Sequence, residues 1–514
     1  MLNARAAYDR LTSSRSQFLD SAVECSELTL PYLITDDTYT QGKKRLIQPW
    51  SSVGAKAVVT LASKLMLALL PPQTSFFKLQ VRDDKLGDYD SSDIRSELDL
   101  SFSKIERIVM DYIAASNDRV VVHQAIKHLI VGGNALIYMG PDGLKNYPLN
   151  RFAVNRDGDG NVIEIVTKEM ISKEVLGSIA YNDSVSDNTE SYDKECPVYT
   201  YVRLENNKWV WHQEVFDKII PGSRSTAPKD ATPWLPLRFN AVDGEDYGRG
   251  RVEEFLGDFR SLNALSQALI EGSAAAAKVI FLVSPSSTTK PSTLSKAGNG
   301  AIVQGRPEDV AVVQVGKTAD FSTAANMAQA IERRIGDAFL QLQVRQSERT
   351  TAEEVRLTQL ELEQQLGGLF SLLTVEFLVP YLNRIMLVLQ RNKQLPKIPK
   401  DFVRPQIVAG VNALGRGQDR ESLSMFMQTI AQTLGPEALS QYINPLEVVK
   451  RLAAAQGIDV LNLVKTEEEL AENKEEKLQQ TQNQTLLEQA GQFANSPLAD
   501  PSKQQQQQPP EQAE

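Results

Sequence analysis

The stretch QVRQSERTTAEEVRLTQLELEQQLGG, residues 343–368, joins two long helical patterns and decides how its surroundings fold. Its second half opens a helix. Thr351 followed three residues later by Glu354 is a capping box, and Glu353 and Glu354 suit the positive helix N-terminus. Val355, Leu362 and Leu366 begin an apolar stripe that Leu369, Leu373 and Phe377 continue. Gly367 and Gly368 would each cost ~1 kcal/mol relative to alanine, which predicts a bend or close packing there. Pro380 predicts a further kink or break. The first half places Arg345, Glu348 and Arg349 in a short polar loop.

Before the loop, ADFSTAANMAQAIERRIGDAFLQL sets Phe321, Ala328, Ile331, Ile335 and Phe339 on one helical face. A turn-rich module with short strands, SPSSTTKPSTLSKAGNGAIVQGRPEDVAVVQVGK, precedes it and carries Lys290, Lys296, Arg306 and Lys317. Ahead of that module, Phe255, Phe259, Leu262, Leu265, Leu269 and Gly272 recur at three- and four-residue spacing. Residues 250–278 would form a rod of roughly 40 Å. Two long helices thus bracket a compact module.

The N-terminal part mixes both patterns. Leu11, Phe18, Val23 and Leu28 follow a helical spacing that stops at Pro31. AKAVVTLASKLMLALLPP contains Lys64 and ends at Pro71 and Pro72, short of the ~20 apolar residues that span a bilayer; it predicts a buried helix. A third helix carries Leu98, Phe102, Ile105, Val109 and Tyr112, and RVVVHQAIKHLIVGGNALIYMG runs from helix into strand. Residues 136–240 alternate apolar and polar around Gly, Asn and Asp turns, a strand-rich region interrupted by the polar loop LGSIAYNDSVSDNTESYDKE. Beyond 395, residues 406–465 suggest several shorter helices, and from about 467 the chain turns Glu-, Lys- and Gln-rich.

Composition narrows the function. A chain of 514 residues implies about three or four units. A net charge of −10 gives no sign of tight nucleic-acid grip, and Cys25 and Cys196 form no spaced motif, which fits a reducing compartment. The N-terminus has no apolar run of a secretory signal. His123, His128 and His212 lack the company of a triad or metal site, and no G-x-x-x-x-G-K-[ST] occurs. YGRGR, residues 247–251, could mimic a phosphate loop but lacks the Lys-Ser/Thr ending, so a turn into the long helix is the better reading. RDGDGNVIEIVTK starts like a calcium loop at Asp157, Asp159 and Asn161. It then fails at Val162 and Lys168, leaving a β-hairpin turn. No catalytic site, metal site or cofactor site emerges.

The order of these parts resembles the portal (head–tail connector) proteins of short-tailed bacteriophages, the podovirus branch. The resemblance runs to about residue 465. It is carried by PWSSVGAKAVVTLASKLMLALLPPQT, VGGNALIYM, GEDYGRGRVEEFLGDFRSLNALSQAL, VQGRPEDV, SERTTAEEVR and GVNALGRGQD. It implies an α+β, mainly helical fold: a wing over 1–245, stem helices over 250–278 and 319–342, and a clip over 279–318. A tunnel loop over 343–350, a bent helix over 351–395 and a crown over 406–465 would follow. For residues 466–514 two readings stand, a short helical barrel or a disordered tail.

The resemblance also implies a role. Such proteins are not enzymes; about twelve copies form a ring at one capsid vertex, the channel for packaging and ejecting double-stranded DNA without sequence specificity. The implied partners are the terminase large subunit, tail adaptor and tail tube proteins, major capsid and scaffolding proteins, and internal core proteins, with no membrane. The place is the virion, with assembly in the host cytoplasm. Lys290, Lys296 and Arg306 would serve partner docking at the clip. Arg345 and Arg349 would line the DNA channel, where duplex charge is dense, or pair with Glu348, Glu353 or Glu354 of neighbouring subunits. A tail adaptor, usually much shorter, is the alternative virion protein, and a packaging nuclease or ATPase the alternative enzyme.

Overall fold

The structure is a computed structural model that describes residues 3–36, 46–71, 75–81, 92–177, 195–276, 280–286, 290–298, 302–304, 306–313, 318–340, 367–396, 403–407, 425–433 and 448. The chain divides into two compact units, Met1–Leu414 and Gly415–Glu514. In the second, residues 425–433 are helical.

Asn3 starts helix α1 (Ala4–Glu27), its side-chain oxygen accepting the Ala6 N–H at 2.8 Å. Tyr8, Leu11, Arg15, Leu19, Ala22 and Cys25 fall at three- and four-residue spacing and are buried. Arg15 is fully buried, and its Nη1 donates to the Tyr8 hydroxyl and to the carbonyls of Leu149 and Phe152 at 3.0, 3.1 and 2.9 Å. These bonds offset part of the cost of placing a guanidinium inside the core. Helix α2 (Val53–Leu69) is the buried helix its composition predicts, with Ala57, Val58, Leu61 and Ala62 all at 0 % exposure. In α3 (Ser92–Ala115) Phe102, Ile105 and Val109 are buried, but Tyr112 is 39 % exposed and Ile113 takes the next core position. Helix α4 (Asp118–Gly132) ends at Gly133, whose φ of 72° turns the chain directly into a strand.

Among the described residues every paired strand is antiparallel. β1 (Phe77–Val81) is followed by β2 (Asn134–Gly140), β3 (Gly143–Tyr147), β4 (Phe152–Arg156), β5 (Val162–Ser172), β6 (Glu195–Glu205), β7 (Lys208–Val215), β8 (Lys218–Ile219), β9 (Ser225–Pro228) and β10 (Trp234–Arg238). The larger sheet runs β4-β5-β6-β7-β8, with β9 also on β7, and α1 packs on it through Ala7, Tyr8 and Leu11 against Ala153, Val166, Tyr199 and Tyr201. A second sheet runs β10-β2-β3, with Trp234 stacked on Tyr138 at 4.2 Å. The β4–β5 connection is the expected hairpin turn. Asp157 accepts the N–H groups of Asp159 and Asn161 at 3.1 and 2.7 Å, so its carboxylate serves the turn itself. The polar loop expected after β5 lies, for residues 178–194, outside the described residues.

The helical second half departs from expectation in two places and meets it in a third. The rod over 250–278 is a helical turn, Arg251–Glu254, an offset at Phe255, and then α5 (Leu256–Ala276). At the offset the Phe255 ring meets Phe339 edge-on at 6.0 Å. After β11 (Ile280–Val283), β12 (Val310–Val313) and α6 (Thr318–Ala338) comes α7 (Gly367–Arg391). Among the described residues a Cβ at Gly367 or Gly368 would meet nothing within 4 Å, so neither glycine marks a close approach. Pro380 does coincide with an irregularity: Thr374–Leu378, just before it, is a π turn. Finally, β13 (Val403–Ile407) pairs with β1, Gln406 opposite Lys78 and Ile407 opposite Phe77. Residues 406 and 407, expected to open a separate helical unit, thus close a sheet with the N-terminal part. Helix α7 is long and apolar enough to cross a bilayer by length and composition alone. Its Phe377, Leu378, Tyr381, Leu382, Ile385 and Leu389 are buried in the protein core.

The helix pair and its terminal hairpin

Helices α5 and α6 pack side by side because small meets large. A Cβ added at Gly272 would lie 2.4 Å from the Phe321 ring, so glycine is what lets that ring seat against α5. Lower in the pair, Phe259 and Leu262 on α5 and Ile331 and Ile335 on α6 are buried. Arg334 bridges to Asp258 at 2.7 Å. The outer surface keeps Ile270 and Met327 about half exposed.

The base of the pair is locked by two glycine-bearing stretches. Gly133, in VGGNALIYM, would place a Cβ 2.4 Å from the Gly248 carbonyl oxygen, and a Cβ at Gly250 would lie 2.7 Å from that of Val131. Asn134 stitches the junction, accepting the Gly248 N–H at 2.8 Å and donating to the Gly248 and Gly132 carbonyls. YGRGR is therefore the turn that docks α5 onto α4. Its Arg249 is spent on Glu245 and Glu253 at 2.6 and 2.9 Å, and Arg251 on Glu254 at 2.6 Å. Arg249 also covers the Phe18 ring. The far end of α6 returns to this base. Phe339 is fully buried, with Phe259 edge-on at 5.6 Å, and Arg251 donates to the Ala338 carbonyl at 3.2 Å. Lys64 donates to the carbonyl of Leu340, whose φ of 55° turns the chain out of the helix. Two cations at a helix C-terminus oppose its negative end.

The other end of the pair carries a small exposed module. β11 and β12 form an antiparallel ladder from Ile280–Val313 to Val283–Val310, closed by Ser284 N–H to the Asp309 carbonyl at 3.0 Å. Lys290 and Lys296 flank the helical turn Pro291–Lys296, Arg306 precedes the turn Pro307–Asp309, and all three are exposed. All three are separate surface charges on the segment between α5 and α6. Lys317 lies outside the described residues, as do Arg345 and Arg349, the capping box and the start of the following helix.

The histidines stay apart. His128 is fully buried, and burial with Lys127 nearby pushes it down to about 4; His123 is lowered by burial too. His212 meets Glu214 at 2.7 Å, whose other oxygen accepts the Ala4 N–H. Burial pushes the Cys25 thiol up to about 12, which leaves it protonated and unreactive. Among the described residues no group of three or more His, Cys, Asp or Glu could hold a metal ion.

A densely bonded charged cluster went unread in the sequence. Glu376, on the π turn, accepts Nε and Nη2 of Arg238 at 2.9 and 2.7 Å and the Arg238 backbone N–H at 2.9 Å. Arg156 lies 3.5 Å from the same carboxylate and donates to the carbonyls of Asp246, Gly160 and Pro236. Ion partners this distant in sequence leave no local spacing. The apolar stripe does leave one: Leu369, Leu373, Phe377, Tyr381, Ile385 and Leu389 step by four, with Leu378 and Leu382 buried beside them.

The family model described as bacteriophage head to tail connecting protein matches residues 3–462. The portal protein of Enterobacteria phage T3 is 38% identical over 480 residues, covering 91% of this chain and 89% of that one. The portal protein of Escherichia phage T7 is 37% identical over 483 residues, with the same two coverages. Among solved structures, the neck of an empty GTA particle aligns with a TM-score of 0.39 at 13% identity, covering 80% of this chain and 90% of that one.

Proposed function

Because the chain belongs to the bacteriophage head to tail connecting protein family, we propose that it acts as the portal of a short-tailed phage. About twelve copies form a closed ring at one capsid vertex, and double-stranded DNA enters and leaves through its axis. The observation that carries this reading is the extent of the likeness: nine-tenths of the chain aligns with two portal proteins, and residues 3–462 match the head to tail connecting family. The helix pair is the stem, and its half-exposed Ile270 and Met327 face neighbouring copies. The β11–β12 module is the clip. Its exposed Lys290, Lys296 and Arg306 meet the terminase large subunit first and tail adaptor and tail tube proteins later. The wing and crown meet capsid, scaffolding and internal core proteins. The role is structural rather than catalytic; the ring assembles in the host cytoplasm and ends in the virion.

The direct test is negative-stain imaging of the purified protein beside an ATPase assay. Rings with a central hole and no hydrolysis are expected; monomers at micromolar concentration count against the reading. Arg345 and Arg349 line the channel in this reading, as a cationic collar on passing DNA. Replacing both by alanine is expected to leave rings intact and lower the fraction of DNA-filled heads. Loss of the rings themselves would make the two arginines intersubunit ion partners instead.

A further inference from the structure

A π turn inside a long helix needs a cause. Pro380 supplies part of one, since it has no N–H to give the Glu376 carbonyl, its α-helical partner. The Val379 N–H meanwhile bonds the Thr374 carbonyl, one residue beyond the α-helical acceptor. Proline alone, however, most often kinks a helix without adding a residue to a turn. What is unusual here is the side chain that emerges from the widened turn. Glu376 is only 10% exposed, and it reaches the edge strand β10, where Arg238 offers it a backbone N–H and a two-pronged guanidinium. Arg156, 4% exposed, closes the other side.

The apolar stripe shows what the extra residue accomplishes. In an α-helix each step of four overshoots a full turn by about 40°, so a stripe that always steps by four winds off its face. Yet Leu369 and Leu373 before the turn, and Phe377, Tyr381, Ile385 and Leu389 from it onward, are all buried. The added residue corrects the phase once, between the two halves. A return to α-helix would rotate Gly367–Leu373 by about 100° and slide it about 1.5 Å against the rest. Sequence alone therefore admits two settings of that half, and burial favours the one in which Glu376 meets its arginines.

We propose that Glu376, held by Arg238 and Arg156, is a register latch: this one largely covered carboxylate selects the π setting of α7 over the α-helical one. The idea stands on the monomer's fold and does not depend on ring formation.

Full-length variants separate the carboxylate from the proline. In Pro380→Ala the missing N–H is restored while the latch is kept, and the π turn is expected to remain. In Glu376→Gln/Pro380→Ala both constraints go, and the turn is expected to close to α-helix. The structures of the two variants, at a resolution that shows carbonyl directions, decide it. A π turn lost in Pro380→Ala, or kept in the double variant, overturns the proposal. Hydrogen exchange gives a second readout if the double variant folds poorly. Arg238→Lys keeps the charge and breaks the fork, and is expected to speed exchange at Val379 roughly tenfold while 385–391 stay protected. Unchanged exchange at Val379 overturns the latch as well.

Discussion

The two ends of the α5–α6 pair are built on opposite principles. At the base, backbone meets backbone: Gly133 and Gly248 approach so closely that no Cβ fits, and Asn134 satisfies the polar groups left inside. At the hairpin end, the described side chains of 290–298 are exposed almost throughout, and the ladder from Ile280 to Val283 is short. One end is fixed by packing that tolerates no change. The other is held mainly by backbone pairing and offers its side chains to whatever meets it. Stability should therefore be concentrated at the base and function at the tip, and substitutions along the pair can test that gradient.

The largest loss is expected at Gly133. Alanine there combines a positive φ of 72° with a Cβ 2.4 Å from a carbonyl oxygen that the junction cannot move. Strain and overpacking together should cost about 3 kcal/mol or more. Thermal unfolding of Gly133→Ala should fall far below wild type, or the protein should fail to accumulate folded. A variant within ~1 kcal/mol of wild type would show that the base is not the anchor.

A smaller loss is expected midway, at Gly272. Leucine there must displace the Phe321 ring, which is a side chain and can give way. Overpacking of about 1–2 kcal/mol is partly offset by the better helix propensity of leucine. Chemical unfolding should register this, with the base still protected from hydrogen exchange. Equal losses at Gly272 and Gly133 would erase the gradient.

Much of this architecture was legible in the chain. Helix positions such as Phe259, Leu262, Ile331, Ile335 and Phe339 announced the pair by spacing, and the Pro- and Gly-rich stretch between them announced a small module. YGRGR was readable as a turn because it lacks the residues a phosphate loop needs. What spacing could not reveal was partnership across sequence. Glu376 is 138 residues from Arg238, and β13 is over 320 residues from β1, distances at which no periodicity operates. The π turn was half legible. Pro380 flagged an irregularity in this helix, but nothing in the spacing said that it would be a π turn. The proposed channel arginines, Arg345 and Arg349, lie outside the described residues, so their reading still rests on the family and on charge.

The contact between α4 and α7, away from the base of the α5–α6 pair, makes a pH prediction. Asp118 accepts the Tyr381 hydroxyl at 2.6 Å, yet burial dominates and raises its carboxyl above 3.8. Raised in the folded state, it contributes stability that is fully present below pH 3.8 and lost as pH climbs through the folded value. Asp118→Asn should remove that dependence. The unfolding free energy of wild type minus that of the variant should fall with rising pH just above 3.8 and then level off. A flat difference, or a rising one, would mean that the hydrogen bond outweighs burial.

The smallest effect on the fold, and the most telling contrast with Gly133, belongs to the tip. Lys290 and Lys296 are exposed, stand at the start and end of a six-residue helical turn, and make no side-chain hydrogen bond or ion pair with other described residues. Reversing both to glutamate changes the charge of the module by four units per chain without touching a buried atom. Unfolding should shift by less than about 0.5 kcal/mol, and rings should form as in wild type. If the module is the docking clip, such a ring presents the wrong field to a partner selected by charge, and like-charge contact across an interface costs several kcal/mol. DNA packaging by particles carrying Lys290→Glu/Lys296→Glu should then fail although the portal is present. Normal packaging would leave the helix pair's exposed end without its proposed role, while failure of ring assembly would place these lysines between copies of the chain.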